Sequence, residues 1–235
     1  MKLLDRSATR GKAEHGWLHS RHTFSFADYH NPERMGFGLL RVLNDDVVAA
    51  SMGFSTHPHK NMEIISIPLS GSLRHEDSMG NKHVITAGEI QVMSAGTGIT
   101  HSEYNNSAHS EVNFLQIWIL PQQLNIQPRY DQKAIDASDK NNCIQLIAAP
   151  MGTPDVVNIN QQAYFSLAEI DATATLKYIR YHPQHGVYFF VIAGQLKLAG
   201  EELSHRDGIG LTDVDNIEVT AVTRSRLLCI EVPMK

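Results

Sequence analysis

Cysteine is scarce in this chain: Cys143 and Cys229 are the two among 235 residues. That excludes a disulfide framework and a thiolate metal cluster. Long apolar runs are missing as well. Stretches such as Ile117–Leu120 and Val187–Ile192 fall far short of the roughly 20 residues that cross a bilayer. The opening Met1-Lys2-Leu3-Leu4-Asp5-Arg6 has no apolar core of signal-peptide length, so a cytoplasmic location is expected. Neither sign of charge dominates. The formal net charge is -5 with both signs interspersed, which argues against nucleic acid or an anionic membrane as a main partner. Helical periodicity is also hard to find.

What is present is a succession of short β-type runs broken by Gly, Asn, Asp and Pro. Strands are expected at Leu39–Leu43, Ile64–Leu69, Leu73–Asp77, His83–Thr86, Ile90–Ser94 and Val112–Leu120. Asn44-Asp45-Asp46 reads as a turn after the first of these. Ser78-Met79-Gly80-Asn81 and Ala87-Gly88-Glu89 read as hairpin turns. The second half repeats the logic: Val187–Ile192, Leu196–Leu198, Ile217–Ala221 and Leu227–Val232, with Arg206-Asp207-Gly208 answering Thr86-Ala87-Gly88. With 42% hydrophobic residues, the chain can bury one large core or two smaller ones. The expected fold is all-β: two tandem antiparallel barrels, 1–130 and 131–235, with few short helices. A helix or linker is expected within Asp131–Asn142.

Two X-x-X pairs carry the chemistry. Residues two apart on a strand face the same way. An extended Thr56-His57-Pro58-His59 therefore offers two imidazoles to one side, and His101-Ser102-Glu103 offers an imidazole and a carboxylate. If both strands line one pocket, three nitrogens and one oxygen converge on a transition-metal site with positions left open for chemistry. In the second half, the position thirteen residues after Gly208 is Ala221, and two further is Thr223; neither is a useful ligand. His182 and His185, three apart, are expected on opposite strand faces. The second barrel is therefore expected to lack ligands.

Other residues read blandly. Gly96-Thr97-Gly98 is followed by no Lys and is expected to make the turn that brings in His101, not a phosphate cradle. His75 and Asp77 read as part of a solvated hairpin. His15, His19, His22 and His30 share no spacing. Phe114 and Trp118 read as core, with Gln116 an odd polar residue between them that could face a pocket.

The spacing Gly53-x3-His57-x-His59-x3-Glu63-x7-Gly71, followed by Gly88-x5-Ser94-x-Gly96-x4-His101-x3-Asn105, resembles the two-part motif of the cupin superfamily. A Ser stands where proline is usual, and the gap before the second-part histidine is longer than usual. His15-Gly16-Trp17-Leu18, His22-Thr23-Phe24-Ser25-Phe26, Leu40–Asp46, Thr56–His59, His75–Asn81, Met93–Ile99 and Gln116–Ile119 resemble the pirin family, closest to bacterial pirins with quercetin 2,3-dioxygenase activity. The resemblance is dense from Gly16 to Tyr130 and thin beyond. It implies a bicupin with metal in the N-terminal barrel alone, held by His57, His59, His101 and Glu103; in most cupins the glutamate at the place of Glu63 is a ligand, and here Glu63 is expected instead to orient a ligand imidazole. The donor set suits Fe(II), Ni, Cu, Mn, Co or Zn; the family implies Fe(II) first. The implied activity is opening of a flavonol ring by O2 with release of carbon monoxide, Glu103 acting as base. The alternative implied by the same family is a metal-binding, redox-sensing regulator that acts through protein partners. A monomer is expected.

Overall fold

Alternation of inward and outward residues builds two sandwiches in the computed structural model, which describes residues 1–136, 141–214 and 216–235. The first pairs a seven-stranded with a four-stranded sheet. The larger runs Arg129–Ala134, Glu89–Ser94, Glu63–Ser70, Val112–Ile119, Leu40–Val48, Leu18–His22, Gly11–Glu14; the smaller runs Gly53–His59, Ile99–Asn105, Ser72–Asp77, Lys82–Thr86. The second sandwich has the same make-up. Its large sheet runs Lys2–Asp5, Gly208–Leu211, His185–Ala193, Ser225–Pro233, Tyr164–Ile170, Cys143–Pro150, Val157–Ile159, and its small sheet Thr175–Tyr178, Ile217–Ala221, Gln195–Leu198, Glu201–Ser204. The expected all-β bicupin is what the chain forms.

Period-two alternation explains why the central strands are apolar on both faces. Leu115, Ile117 and Ile119 turn toward Phe165, Tyr188, Phe190 and Ile230 of the other large sheet, forming one core shared by the two sandwiches. Phe189 and Val191, of opposite parity to Tyr188 and Phe190, fill the second sandwich with Leu196, Leu203 and Val219. In the first sandwich Phe114 joins a small cluster with Leu18, Leu73 and Val112. Gln116 and Trp118 share that inward parity, and they mark where the apolar filling gives way to a cavity. Each fully buried Leu, Ile or Phe contributes about 1.5–3 kcal/mol, so the shared core binds the sandwiches firmly.

Three expectations need correcting, and strands form where none was named. Asn44-Asp45-Asp46 is no turn: the strand Leu40–Val48 runs through it with all three side chains buried. Charge from distant segments makes this tolerable. Asp45 is 3.1 Å from the Arg206 guanidinium and 4.0 Å from that of Arg10, and Asp46 accepts a hydrogen bond from Ser20. Asp131–Ala134 is neither helix nor linker but the end of a strand paired with Glu89–Ser94; residues 137–140 of that expected segment lie outside the described residues. Strands also form before Gly36, at Lys2–Asp5, Gly11–Glu14 and Leu18–His22. His182 and His185 are not on opposite faces. His182 lies in the turn before the strand that starts at His185, and the rings stack at 4.6 Å.

Candidate metal centre

Sheet register brings the two X-x-X pairs together. The strands Gly53–His59 and Ile99–Asn105 pair antiparallel with His101 opposite His57. The turn feeding His101 depends on Gly96, whose φ of 47° lies in the left-handed region; a Cβ there would meet the Ile126 carbonyl oxygen at 2.1 Å. His57, His59 and His101 present nitrogens within 4.8 Å of one another. His57 Nδ1 donates to the Ser55 carbonyl at 2.8 Å, which leaves its Nε2 lone pair free. Both ring nitrogens of His101 are buried with no partner. Unpaired buried nitrogens are costly, and a cation is the chemistry that resolves three convergent lone pairs.

Electrostatics favour neutral imidazoles. Burial, then the His101 and His57 rings, lower the His59 pKa to about 4 against the pull of Glu103. Burial, then His57 and His75, lower that of His101 to about 3. Both rings are therefore unprotonated near neutral pH and need not shed a proton to bind a cation.

Glu103 is buried and comes from the same strand as His101. Its Oε1 accepts from Ser66 at 3.0 Å and its Oε2 from Gln116 at 2.9 Å. The Gln91 amide donates to Ser66 at 3.3 Å. These partners belong to a cross-strand row on the large sheet, His22–Asn44–Gln116–Ser66–Gln91, each residue opposite the next in register. Glu103 also shares a second group of potential ligands, His75, His101 and Glu103, again within 4.8 Å.

A cavity of about 450 Å³ opens beside His57 and His59, within the range of roughly 300–1,000 Å³ usual for small-molecule sites. Its walls include Trp17, Phe54, Phe26 and Trp118, with Asn44, Asp46, His22 and Gln116 adding polar groups. Trp17 meets Phe54 edge to face at 5.3 Å, and Trp118 meets Phe26 and His59 in the same manner at 5.3 and 5.0 Å. Burial first, then Asp45 and Glu103, raise the Asp46 pKa to about 7 against its bond from Ser20.

Several sequence readings change here. Glu63 does not orient an imidazole: its Oε2 accepts from Ser94 at 2.7 Å and from the Asn160 N–H at 3.1 Å. Trp118 stands on the cavity wall, as do His15 and His22. His75 and Asp77 are no solvated hairpin; both side chains are fully buried. Strand parity with Gln116 was the signal that could have found Trp118.

Comparison with known proteins agrees with this geometry. The Pirin family profile matches residues 4–119, and that of the quercetinase C-terminal cupin domain matches residues 146–232. Quercetin 2,3-dioxygenase of Escherichia coli K12 is 41% identical over 234 residues, covering 99% of each chain. The chain belongs to the pirin family. A pirin-like protein of Caulobacter vibrioides is 37% identical over 222 residues, covering 94% of this chain and 95% of that protein. The crystal structure of the E. coli pirin YhhW in complex with nickel(II) superposes with a TM-score of 0.93 at 39% identity, covering 99% of both chains. Like this pirin, that structure spans the full bicupin. Among the described residues no helix is long and apolar enough to cross a membrane.

Proposed function

We propose that this pirin is a metal-dependent dioxygenase of the quercetin 2,3-dioxygenase type, taking up O2 to open a flavonol ring and releasing carbon monoxide and a depside. The observation that carries the reading is the convergence of three imidazoles beside an aromatic-walled cavity. The E. coli relative named for this activity, and the nickel-bound pirin, support it. His57, His59, His101 and Glu103 would hold one divalent transition metal, Fe(II) by family expectation. When bound, that metal supplies a Lewis acid for the substrate's 3-hydroxyl oxygen and a centre for dioxygen chemistry.

The chain's own residues do the rest. The Glu103 carboxylate takes the 3-hydroxyl proton, held in place by the Ser66 hydroxyl and the Gln116 amide. The edge-to-face pairs Trp17–Phe54 and Phe26–Trp118 present flat apolar walls to aromatic rings and exclude water from the reacting face. Oxygen uptake with quercetin by chain reconstituted anaerobically with Fe(II) tests this, beside Glu103→Gln with its metal content measured. Uptake with carbon monoxide release, reduced about 100-fold or more in the variant, is the expected result. Full turnover by metal-loaded Glu103→Gln would remove Glu103 as base. No uptake by fully loaded wild type would remove the flavonol as substrate and favour the regulatory alternative.

A further inference from the structure

Three buried nitrogens without partners lie close together behind the imidazole cluster: Nδ1 of His75 and both ring nitrogens of His101. The rings are 5.3 Å apart, and nitrogens of the two approach within 4.8 Å. The His75 ring also lies 4.8 Å from that of Tyr130. His75 Nε2 is 3.1 Å from Asp77 Oδ2.

Asp77 is built to accept. It receives the Asn81 side-chain N–H at 2.8 Å and the backbone N–H groups of Met79 and Asn81 at 2.9 and 3.1 Å. With both of its oxygens already accepting from N–H groups, Asp77 is the acceptor toward His75, so His75 Nε2 is the donor and its Nδ1 carries a lone pair. His57 shows the same signature, one nitrogen donating to an oxygen and the other free. A metal-ligating histidine normally gives its second N–H to an acceptor that fixes its tautomer. His101 lacks one in this structure, and both oxygens of neighbouring Glu103 already accept from Ser66 and Gln116.

We propose that Asp77 and His75 form a relay behind His101, in which Asp77 accepts from His75 Nε2 and His75 Nδ1 accepts the N–H of the His101 nitrogen that does not face the metal. Ring centroids 5.3 Å apart put the two imidazoles next to each other, and in the relay their facing nitrogens stand at hydrogen-bond length. The pair are positioning residues: they select the tautomer in which His101 offers its other lone pair to the cluster. The inference rests on the metal reading above and is independent of the substrate.

The test uses Ni(II) as probe with the full chain, comparing wild type, His75→Leu and His75→Asn. The Asn carboxamide oxygen can stand where Nδ1 stands and still accept. His75→Leu should lose about 10- to 100-fold in Ni(II) affinity, with His75→Asn recovering most of it. The Co(II) absorption spectrum should keep the same ligand number in all three. Nitrogen-15 spectra of metal-free wild type at pH 8 should show His75 protonated on Nε2 and bare on Nδ1. Wild-type affinity in a folded His75→Leu would overturn the relay, as would an equal loss in both variants. A Co(II) spectrum showing one ligand fewer in His75→Leu would make His75 a direct ligand instead. Should His75→Leu fail to fold, the nitrogen-15 tautomer still decides. None of these readouts involves flavonol, so failure of the dioxygenase reading leaves this result legible.

Discussion

Replacing Glu63 by Gln isolates a single buried carboxyl whose protonation sets the stability of this protein against pH. Glu63 is fully buried, and its Oε1 has no partner. Burial raises its pKa from 4.5 to about 7, against the opposing bonds from Ser94 and Asn160 and the charge of Arg129. A raised folded-state pKa means the protonated carboxyl contributes stability that is fully present below the unfolded value. That contribution is lost as pH rises from about 4.5 through 7. At about 1.36 kcal/mol per unit, the shift amounts to roughly 3 kcal/mol. Gln is isosteric with the protonated acid, can accept the same two bonds, and does not titrate. Urea unfolding of chelator-treated wild type and Glu63→Gln, followed by tryptophan fluorescence at pH 4.5 and pH 8, reads the difference. Glu63→Gln should gain about 3 kcal/mol on wild type between the two pH values, whatever constant offset the substitution carries. For a chain of this size that is roughly 6–12 °C in Tm. The lowered imidazole pKa values act equally in both proteins and cancel. A gain below about 1 kcal/mol, or a progressive loss with rising pH, would show that Glu63 is held ionised by Arg129, and the reasoning fails.

Asn105→Ala should cost about 3 kcal/mol in chemical denaturation, because the Asn105 amide serves the carbonyls of Val48, Ala49 and Ser110 while its oxygen accepts from Ser107. Gly53→Ala should weaken Ni(II) binding at least tenfold in chelator competition. Its Cβ would lie 2.3 Å from the Glu103 carbonyl oxygen and 2.5 Å from Tyr104 Cα, forcing apart the strands that hold His57 and His101, and such overpacking costs about 1–3 kcal/mol. With His59 lowered to about 4 and His101 to about 3, protons at these rings should not compete with metal between pH 8 and pH 5. A loss steeper than tenfold per unit across that range, which needs more than one competing proton, would contradict the shifts.

The candidate ligand pairs were legible in the sequence because strand parity and flanking glycines are local properties. The bicupin outline was legible for the same reason, each strand being closed by its own turn residues. What escaped needed knowledge of distant partners. Asn44-Asp45-Asp46 has turn chemistry on its own, and becomes strand only because Arg10 and Arg206 arrive from far along the chain. His75 sits beside a genuine hairpin turn, yet Tyr130 from another sheet covers it. Gln116 looked out of place among apolar residues. Its neighbours Leu115 and Ile117 serve the shared core, while it serves Glu103.

The placement of Lys2–Asp5 constrains how the protein can be made. The strand Lys2–Asp5 hydrogen-bonds to Gly208–Leu211, so once synthesised it has no partner until about 200 further residues have followed it. At about 5–20 residues per second, some 200 intervening residues correspond to a wait on the order of 10 to 40 seconds. During that interval the strands that carry the candidate ligands are already synthesised, while an edge strand of the second sandwich's sheet waits unpaired. Docking of that edge has to wait for Gly208–Leu211, a step that a chain stalled before Gly208 never reaches.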